Sequence, residues 1–206
     1  MTNPDARASA PLDPAPMSGV KAELVPVTEE CYRYLYDLAT HPSVSVRWRY
    51  HGLIPTRESF VAEFWNGIFS QLLVVDRETS QPAGLVVAYQ GNLRNDTVWV
   101  AGVIDPRFHG RRLAIEAFCL FFNYLIVTWP FRKLYMELPE YNLTQFASVL
   151  RRIGREEGRL RDDTYYDGRY WDLVTIALYR NELEESPIMR LVIDTAKRAT
   201  GPLTSP

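Results

Sequence analysis

Residues Val98 to Phe118 read VWVAGVIDPRFHGRRLAIEAF: an apolar, β-rich run, a short Asp-Pro turn, a basic loop around Gly110, and an amphipathic helix. The start of a helix carries unpaired backbone N–H groups and the positive end of the macrodipole. An anion placed there is therefore held without a dedicated side chain. His109, Gly110, Arg111 and Arg112 surround that point. Two readings of these residues stand side by side: a phosphate-holding helix start, and a basic first turn on an ordinary βα unit.

Working outward, alternation and end signals predict the remaining elements. Ala22 to Val27 reads as a strand, and Thr28-Glu29-Glu30 starts a helix through Ala39 with Thr28 as N-cap. Thr56 to Phe69 is a second helix with Phe60, Phe64 and Ile68 on one stripe. Strands follow at Gln71 to Asp76, Pro82 to Gln90 and Thr97 to Ile104, joined by the turn-rich ETSQ and GNLRND. A long helix from Arg111 to Val127 is stopped by Trp129-Pro130, and Lys133 to Leu138 is a short buried strand. Asn142 to Gly154 is a loop and helix, with Asn142 suited to an N-cap. Glu156 to Glu182 alternates strongly and pivots on Asp167-Gly168, a hairpin signal. Ser186-Pro187 opens another helix, with Ile188, Leu191, Val192 and Thr195 on one face and a Gly201-Pro202 stop. This last helix is expected to pack on the domain or on a second subunit.

The chain has 206 residues, 47% of them hydrophobic, and a net charge of -2, enough to bury a full core and without the field that non-specific nucleic-acid binding needs. Nucleic acid is not an expected partner. Cys31 and Cys119 form no CxxC pair and fall in predicted helices, which reads as buried thiols in a reducing cytoplasm. His41, His51 and His109 lack zinc-like spacing, so no metal is expected. Residues 1–20 are rich in Pro, Ala and Asp with no apolar stretch, and read as a disordered tail rather than a signal peptide. No transmembrane span is visible, and no membrane partner is expected. Lysine is confined to Lys21, Lys133 and Lys197 while arginine is abundant, a bias associated with a GC-rich bacterial genome.

In order and spacing, the Val98–Phe118 stretch resembles the acyl-CoA-binding motif of the GNAT N-acetyltransferase superfamily: a strand, a Pro, then Gln/Arg-x-x-Gly-x-Gly/Ala opening a helix. His109 falls at the Gln/Arg position, Arg112 at the first Gly and Ala114 at the final Gly/Ala. The element order from Ala22 to about Glu182 resembles the whole GNAT fold, and the final hairpin resembles the ribosomal-protein alanine acetyltransferase-like and spermidine acetyltransferase-like branch. The resemblance implies an α/β (α+β) fold: a central mixed, mostly antiparallel sheet of about seven strands flanked by helices. The domain would span 21–183, with 184–206 as an extra C-terminal helix and tail.

It also implies a function: transfer of an acyl group, most simply from acetyl-CoA, to a primary amine of a peptide N-terminus or small metabolite, by direct attack. Acyl-CoA would lie between the fourth and fifth strands, its pantetheine arm pairing with the backbone of Val103 and Ile104. His109, Gly110, Arg111, Arg112, Leu113 and Ala114 would hold its pyrophosphate, and Asn142 would contact the pantetheine. A Val103 N–H would serve as oxyanion donor. Direct attack needs a base, an oxyanion donor and an acid for the departing thiolate. Glu137, an ionisable residue inside an apolar strand and five residues before Asn142, is the candidate base; burial would raise its pKa, and Glu140 is the nearby substitute. Alternation alone does not say which face Glu137 occupies.

The chain departs from the resemblance at the thiolate acid, since Leu150 or Val149 stands where many relatives carry tyrosine. Ser148 and Tyr141 are the nearby hydroxyls. Arg112 in place of Gly either distorts the loop or supplies a guanidinium to the pyrophosphate. These departures leave open a GNAT-like CoA-binding or regulatory module without turnover, and the acyl pocket leaves open a longer acyl-CoA.

The family's acceptor site is built from the first two helices, the loop between them and the last hairpin. Here those places hold Arg47, Trp48, Arg49, Tyr50, His51, Trp65, Tyr165, Tyr166, Tyr170, Trp171 and Asp172, of which Arg47, Trp48, Tyr50 and Tyr166 are the candidate substrate-binding residues. Core packing and cross-strand pairing explain Tyr166, Tyr170 and Trp171 equally well. Asp162, Asp163 and Asp167 would suit a polyamine, whereas Arg47 and Arg49 point to an acceptor carrying a carboxylate or phosphate. A homodimer is compatible with this layout.

Overall fold

The protein is described by a computed structural model covering residues 15–143 and 153–200. The chain runs β1 (Ala22–Pro26), a 3-10 turn (Glu29–Cys31), α1 (Tyr32–Thr40), α2 (Pro42–Ser45), α3 (Arg57–Glu63), β2 (Ile68–Asp76), β3 (Gln81–Asn92) and β4 (Thr97–Ile104). A second 3-10 turn (Pro106–Phe108) leads into α4 (Leu113–Thr128), β5 (Lys133–Pro139), β6 (Arg155–Tyr166), β7 (Arg169–Tyr179), α5 (Arg180–Glu185) and α6 (Pro187–Thr200). Seven strands form one sheet in the order β1-β2-β3-β4-β5-β7-β6. Every neighbouring pair is antiparallel except β4 and β5. This is the α/β fold, with its mostly antiparallel sheet and C-terminal helix, that the sequence predicts.

Strand alternation sends apolar side chains to both faces of the sheet. One face buries Leu24, Val74, Val86, Val98 and Val100 against α4. The other places Leu73, Leu85 and Val87 against Leu35 of α1 and Phe60 of α3, with Phe64 just beyond α3. Helix α4 is buried on more sides than an amphipathic helix would be: Leu113, Ala117, Leu120, Phe121 and Leu125 are all inaccessible. The cause is α6, which lies against its outer side.

Several predicted boundaries move. The helix expected through Phe69 stops at Glu63, because Gly67 takes a left-handed φ of +68° and the chain turns back so that Ile68 and Phe69 begin β2. Thr56 caps α3, accepting from the Ser59 N–H at 3.2 Å. Thr28 makes no capping bond and its hydroxyl lies 3.6 Å from the Cys31 sulfur, so that helix begins as a 3-10 turn. Cys31 is half-buried rather than buried, whereas Cys119 is buried in the core. The hairpin turns on Asp167 at φ +52° and Gly168 at φ +79°, the pair of left-handed residues that a two-residue hairpin requires. On α6 the buried residues are Met189 and Ala196, while Leu191 is 68% exposed, so the face against α4 is rotated from the one expected. The Gly201-Pro202 stop lies outside the described residues. Among the described residues no helix is long and apolar enough to cross a membrane.

The segment expected to be a disordered tail as far as residue 20 is packed from residue 15 onward in the described chain. Met17 accepts the Leu24 N–H at 2.7 Å, and Ser18 bridges to Glu23. What holds it is Glu116, in the first turn of α4. Its carboxylate accepts from the backbone N–H groups of Val20 (3.0 Å), Lys21 (2.5 Å) and Ala22 (2.6 Å). A negative charge there is also favoured by the helix dipole. Gly19 leaves room beside it: a Cβ there would sit 2.5 Å from the Glu116 carboxyl carbon and push the carboxylate out of its place. Replacing Glu116 with Ala strips three backbone donors of a charged acceptor, and we expect a loss of about 2–3 kcal/mol in urea unfolding. A loss below about 0.5 kcal/mol would show that the clamp contributes little.

Candidate active site

Strands β4 and β5 pair in parallel only from Thr97↔Lys133 to Trp99↔Tyr135. Past that rung both strands continue without pairing to each other, β4 to Ile104 and β5 to Pro139. They diverge around a cavity of about 1360 Å³ lined by residues 100–104 of β4 and 136–139 of β5. Backbone groups along the two facing edges have lost their sheet partners, so they are open to an extended ligand.

Which β4 groups face the opening follows from the register. Asp105 donates its N–H to Ala83 across β3 at 2.9 Å, and Val103 pairs with Leu85. Alternation therefore turns the backbone of Val103 and Ala101 toward β3 and that of Val100, Gly102 and Ile104 toward β5. The Val103 side chain lines the cavity, but its N–H points into the sheet; the amides that face the opening are those of Gly102 and Ile104. A Cβ on Gly84 would run into the Val103 carbonyl oxygen, in keeping with that orientation.

The cavity reaches the start of α4, where Pro106, His109, Gly110 and Ala114 line it. Asp105 shapes the turn before it, accepting from the Arg107 N–H at 3.0 Å and pairing with the Arg107 guanidinium at 2.7 Å. Burial works against the Asp105 charge, but Arg107 outweighs it and holds the carboxyl below the usual range. His109 packs a ring nitrogen 3.2 Å from the Ile104 carbonyl oxygen. Gly110 is left-handed at φ +78°, and Arg112, the N-cap residue, is also left-handed at φ +59° with no side-chain capping bond. The first amide bonded within the helix is that of Glu116, to Arg112. The N–H groups of Leu113, Ala114 and Ile115 thus have no acceptor among the described residues and are the donors the first turn offers. Arg111 and Arg112 are exposed and outside the lining, while Leu113 is buried in the core.

Beyond β5, residues 140–143 are helical and Asn142 is buried. Asn142 is one of the cavity-lining residues, and its Oδ1 is buried with no hydrogen-bond partner among the described residues. A buried amide oxygen calls for a donor, and the Asn142 side chain stands at the edge of the cavity where one can be supplied. Glu137 lies on the cavity side of β5. Its pKa is raised, first by partial burial and then by the neighbouring Asp163 carboxylate. Tyr141 is outside the lining; its hydroxyl donates to the Val46 carbonyl at 3.4 Å and its ring packs 4.6 Å from that of Tyr166. Glu140 is engaged by Arg159 at 3.2 Å. Ser148, Val149 and Leu150 lie outside the described residues. Cys119 is no nucleophile: burial pushes its thiol up to about 12.

The wall opposite β5 is made by the segment after α2. Arg47, Trp48, Arg49, Tyr50 and His51 line it, together with Glu63, Tyr89 and Tyr166. Trp65, Tyr165, Tyr170 and Trp171 do not; Trp65 bonds the Tyr32 hydroxyl at 3.3 Å and Tyr165 packs edge-on to Tyr170 on the hairpin. Asp163 is the one of the three hairpin aspartates in the lining. A register shift between Leu160 and Thr164, with Asp162 at φ +52°, accompanies its turn into the cavity. Nothing in the hairpin sequence marks that bulge. Tyr89, Glu63 and Gly102 also escaped the sequence reading, because strand periodicity names a face and not a cavity.

No protein-family model and no curated protein sequence matches this chain. Solved structures do. A chimera of SpeG spermidine N-acetyltransferase from Vibrio cholerae and hSSAT superposes with a TM-score of 0.69 at 16% identity, covering 81% of this chain and 99% of that one. Spermidine N-acetyltransferase from Vibrio cholerae in complex with CoA and spermine gives 0.63 at 17% identity, over 80% of this chain and 99% of that one. The same organism's SpeG in complex with manganese ions gives 0.64 at 16%, over 79% and 94%. These likenesses establish the fold as the GNAT fold that the sequence resembles.

Arg112 explains in physical terms why that motif favours glycine at its position. A non-glycine residue in the left-handed region costs about 1 kcal/mol or more. Arg112→Gly is therefore expected to raise stability by about 0.5–1 kcal/mol, and Arg112→Val to lower it, as read by denaturant midpoints. A destabilised glycine variant would mean that the guanidinium makes a compensating contact.

Proposed function

We propose that the chain is an acyl-CoA-dependent N-acyltransferase, acting with acetyl-CoA on a primary amine of a small metabolite or peptide N-terminus. The observation that carries this reading is the parting of β4 and β5 beyond Trp99 and Tyr135, which leads from a charged, aromatic wall to the free amides of α4. The similarity to a spermidine N-acetyltransferase solved with CoA and spermine supports it. So does the fit of the residues. The orphaned Asn142 Oδ1 suits an amide N–H of a pantetheine arm, the cleft edges of Gly102 and Ile104 suit its extended backbone, and the amides of Leu113, Ala114 and Ile115 suit its pyrophosphate.

Acetyl-CoA supplies the thioester carbonyl that the amine attacks and the thiolate that leaves. Glu137 accepts a proton from the incoming ammonium, directly or through one water, so that the free amine can form the new C–N bond as the C–S bond breaks. Gly102 or Ile104 offers the backbone N–H for the developing oxyanion. Tyr141 already spends its hydroxyl on Val46, so the thiolate takes its proton from water unless residues outside the described set supply it. The two free cysteines suit a reducing, cytoplasmic setting.

Calorimetric titration with acetyl-CoA is expected to give saturable binding of micromolar order, weakened about tenfold by Asn142→Ala and also weakened by Arg112→Glu. Absence of binding by the wild type overturns the reading. For the base, the sign of the pKa shift sets the expectation. Glu137 must be deprotonated to act and its pKa is raised, so the acidic limb of kcat/KM lies above the usual glutamate range. Glu137→Gln removes that limb and lowers kcat by about a hundredfold or more. A Gln variant within about threefold of wild type would dismiss Glu137 as base.

A further inference from the structure

The acceptor half of the cavity carries charges of both signs that do not pair with each other. On one wall stand Arg47 and Arg49. The Arg49 guanidinium is half-buried, 5.4 Å from the Phe64 ring centre, and uses one N–H on the Phe64 carbonyl at 3.4 Å. The guanidinium also interacts with the Tyr50 hydroxyl beside it, and it has no carboxylate partner among the described residues. Arg47 is held between two aromatic faces, 5.8 Å from the Tyr141 ring centre and 5.7 Å from that of Tyr166. Neither arginine forms an ion pair among the described residues; Glu63 lines the same wall but is not within ion-pair distance of Arg49. The same cavity is lined by Glu137 of β5 and Asp163 of β6, two carboxylates near enough to act on each other and likewise without an ion-pair partner among the described residues. The same cavity is lined by the aromatic surfaces of Trp48, Tyr50 and Tyr166, and the buried Tyr50 hydroxyl lies beside the Arg49 guanidinium.

Arg47, Glu137 and Asp163 are exposed at the cavity and open to a ligand, whereas the half-buried Arg49 is a cation without a carboxylate partner among the described residues, which is costly unless a ligand supplies one. Building on the acyltransferase reading above, we propose that the acceptor is a zwitterionic amino acid with an aromatic or large apolar side chain, and that Arg49 is its carboxylate anchor. The ammonium enters against Glu137 and Asp163, which is also where it must lose its proton. The carboxylate docks on the free guanidinium edge of Arg49, assisted by Arg47 and the Tyr50 hydroxyl, and the side chain lies on the aromatic surfaces. A polyamine satisfies one pole and meets two uncompensated cations at the other.

The test is thiol release from acetyl-CoA with a matched set of acceptors: phenylalanine, its carboxamide, phenethylamine, phosphoethanolamine and spermidine. Phenylalanine is expected to exceed its amide in kcat/KM by about tenfold or more, and Arg49→Met to bring that ratio close to one, with Arg49→Lys in between. Arg47→Met, on the exposed side of the wall, is expected to lower the ratio less. Acetyl-CoA titration of each variant verifies that it is folded. Equal rates for phenylalanine and its amide, or spermidine or phosphoethanolamine as the best acceptor, overturn the proposal while leaving the acyltransferase reading intact. So does an unchanged ratio in Arg49→Met. Wild-type protein that binds no acetyl-CoA defeats the reading on which the proposal rests, and wild type that binds it but acetylates none of the five defeats the proposal alone.

Discussion

A stacked aromatic pair marks where the sheet stops being a sheet. Trp99 and Tyr135, ring centres 4.9 Å apart and inclined by 27°, form the last rung between β4 and β5. Below that rung the pairing is tied. Buried Lys133 binds the Glu157 carboxylate at 2.9 Å and sits over the Tyr135 and Tyr179 rings at 5.0 and 4.7 Å, and Tyr179 bonds the same carboxylate. One cation thereby joins β5, β6 and β7 at the closed end, and desolvation of the ammonium is offset by its hydrogen bonds. Above the rung Arg159 of β6 joins Glu140, just past β5, to Asp172 of β7, so β5 stays with β7 and not with β4. Gly102 lets Phe118 of α4 press close to β4, where a Cβ would meet the ring at 2.6 Å. The strand is thus held to β3 and α4 while β5 follows β7 away from it.

The parting leaves two rows of backbone groups whose alternatives are water or a ligand that mimics a strand. It is useful only if the loop at its end is stiff, and that loop is braced from three directions. Asp105 ties Arg107 within the turn and accepts from Tyr34 of α1 at 3.4 Å. His109 reaches back to Ile104. Glu116 fastens the first turn of α4 to the chain entering β1. Each brace lies outside the ring of amides that it positions, so the donors of Leu113, Ala114 and Ile115 remain free while the backbone presenting them is fixed. Arg112 holds its left-handed place within this frame at a local energetic cost, which the surrounding contacts impose.

What was legible in the sequence tracks with how local its cause is. The hairpin at Asp167-Gly168 was readable because two adjacent residues determine the turn, and β5 because a run of apolar residues ends in prolines. The helix through Phe69 was over-extended because the stripe of Phe60, Phe64 and Ile68 is a statement about packing: all three do reach the same core, the last from a strand. The rotation of α6 was invisible, since an amphipathic pattern gives a face and only the partner, α4, decides its exact azimuth. In the site, Glu137, Asn142, Arg47, Trp48, Tyr50 and Tyr166 were named in advance and the fold brings them to one cavity. The assignment of Val103's N–H failed for a definite reason: its direction depends on whether Asp105 pairs with Ala83, a fact of register between two strands and not of either alone. Asp163 was one of three equivalent aspartates until the bulge beside it broke the alternation.

The distribution of these features separates what the fold holds constant from what it leaves free. The opening, its amides and the α4 start are consequences of strand pairing and helix geometry. The fold that produces them is shared at 16% identity with a spermidine N-acetyltransferase chimera, as expected of features that backbone supplies. The acceptor wall is built otherwise, from side chains on the short segment after α2 and on a bulged hairpin, where no ladder constrains residue choice. Arg49 illustrates the consequence. Burial lowers its pKa and no carboxylate among the described residues compensates it, so in the free protein it is a cation held at a cost. A fold can maintain such a charge only where something else repays it. Arg49 lines the cavity, and there a counter-charge can enter.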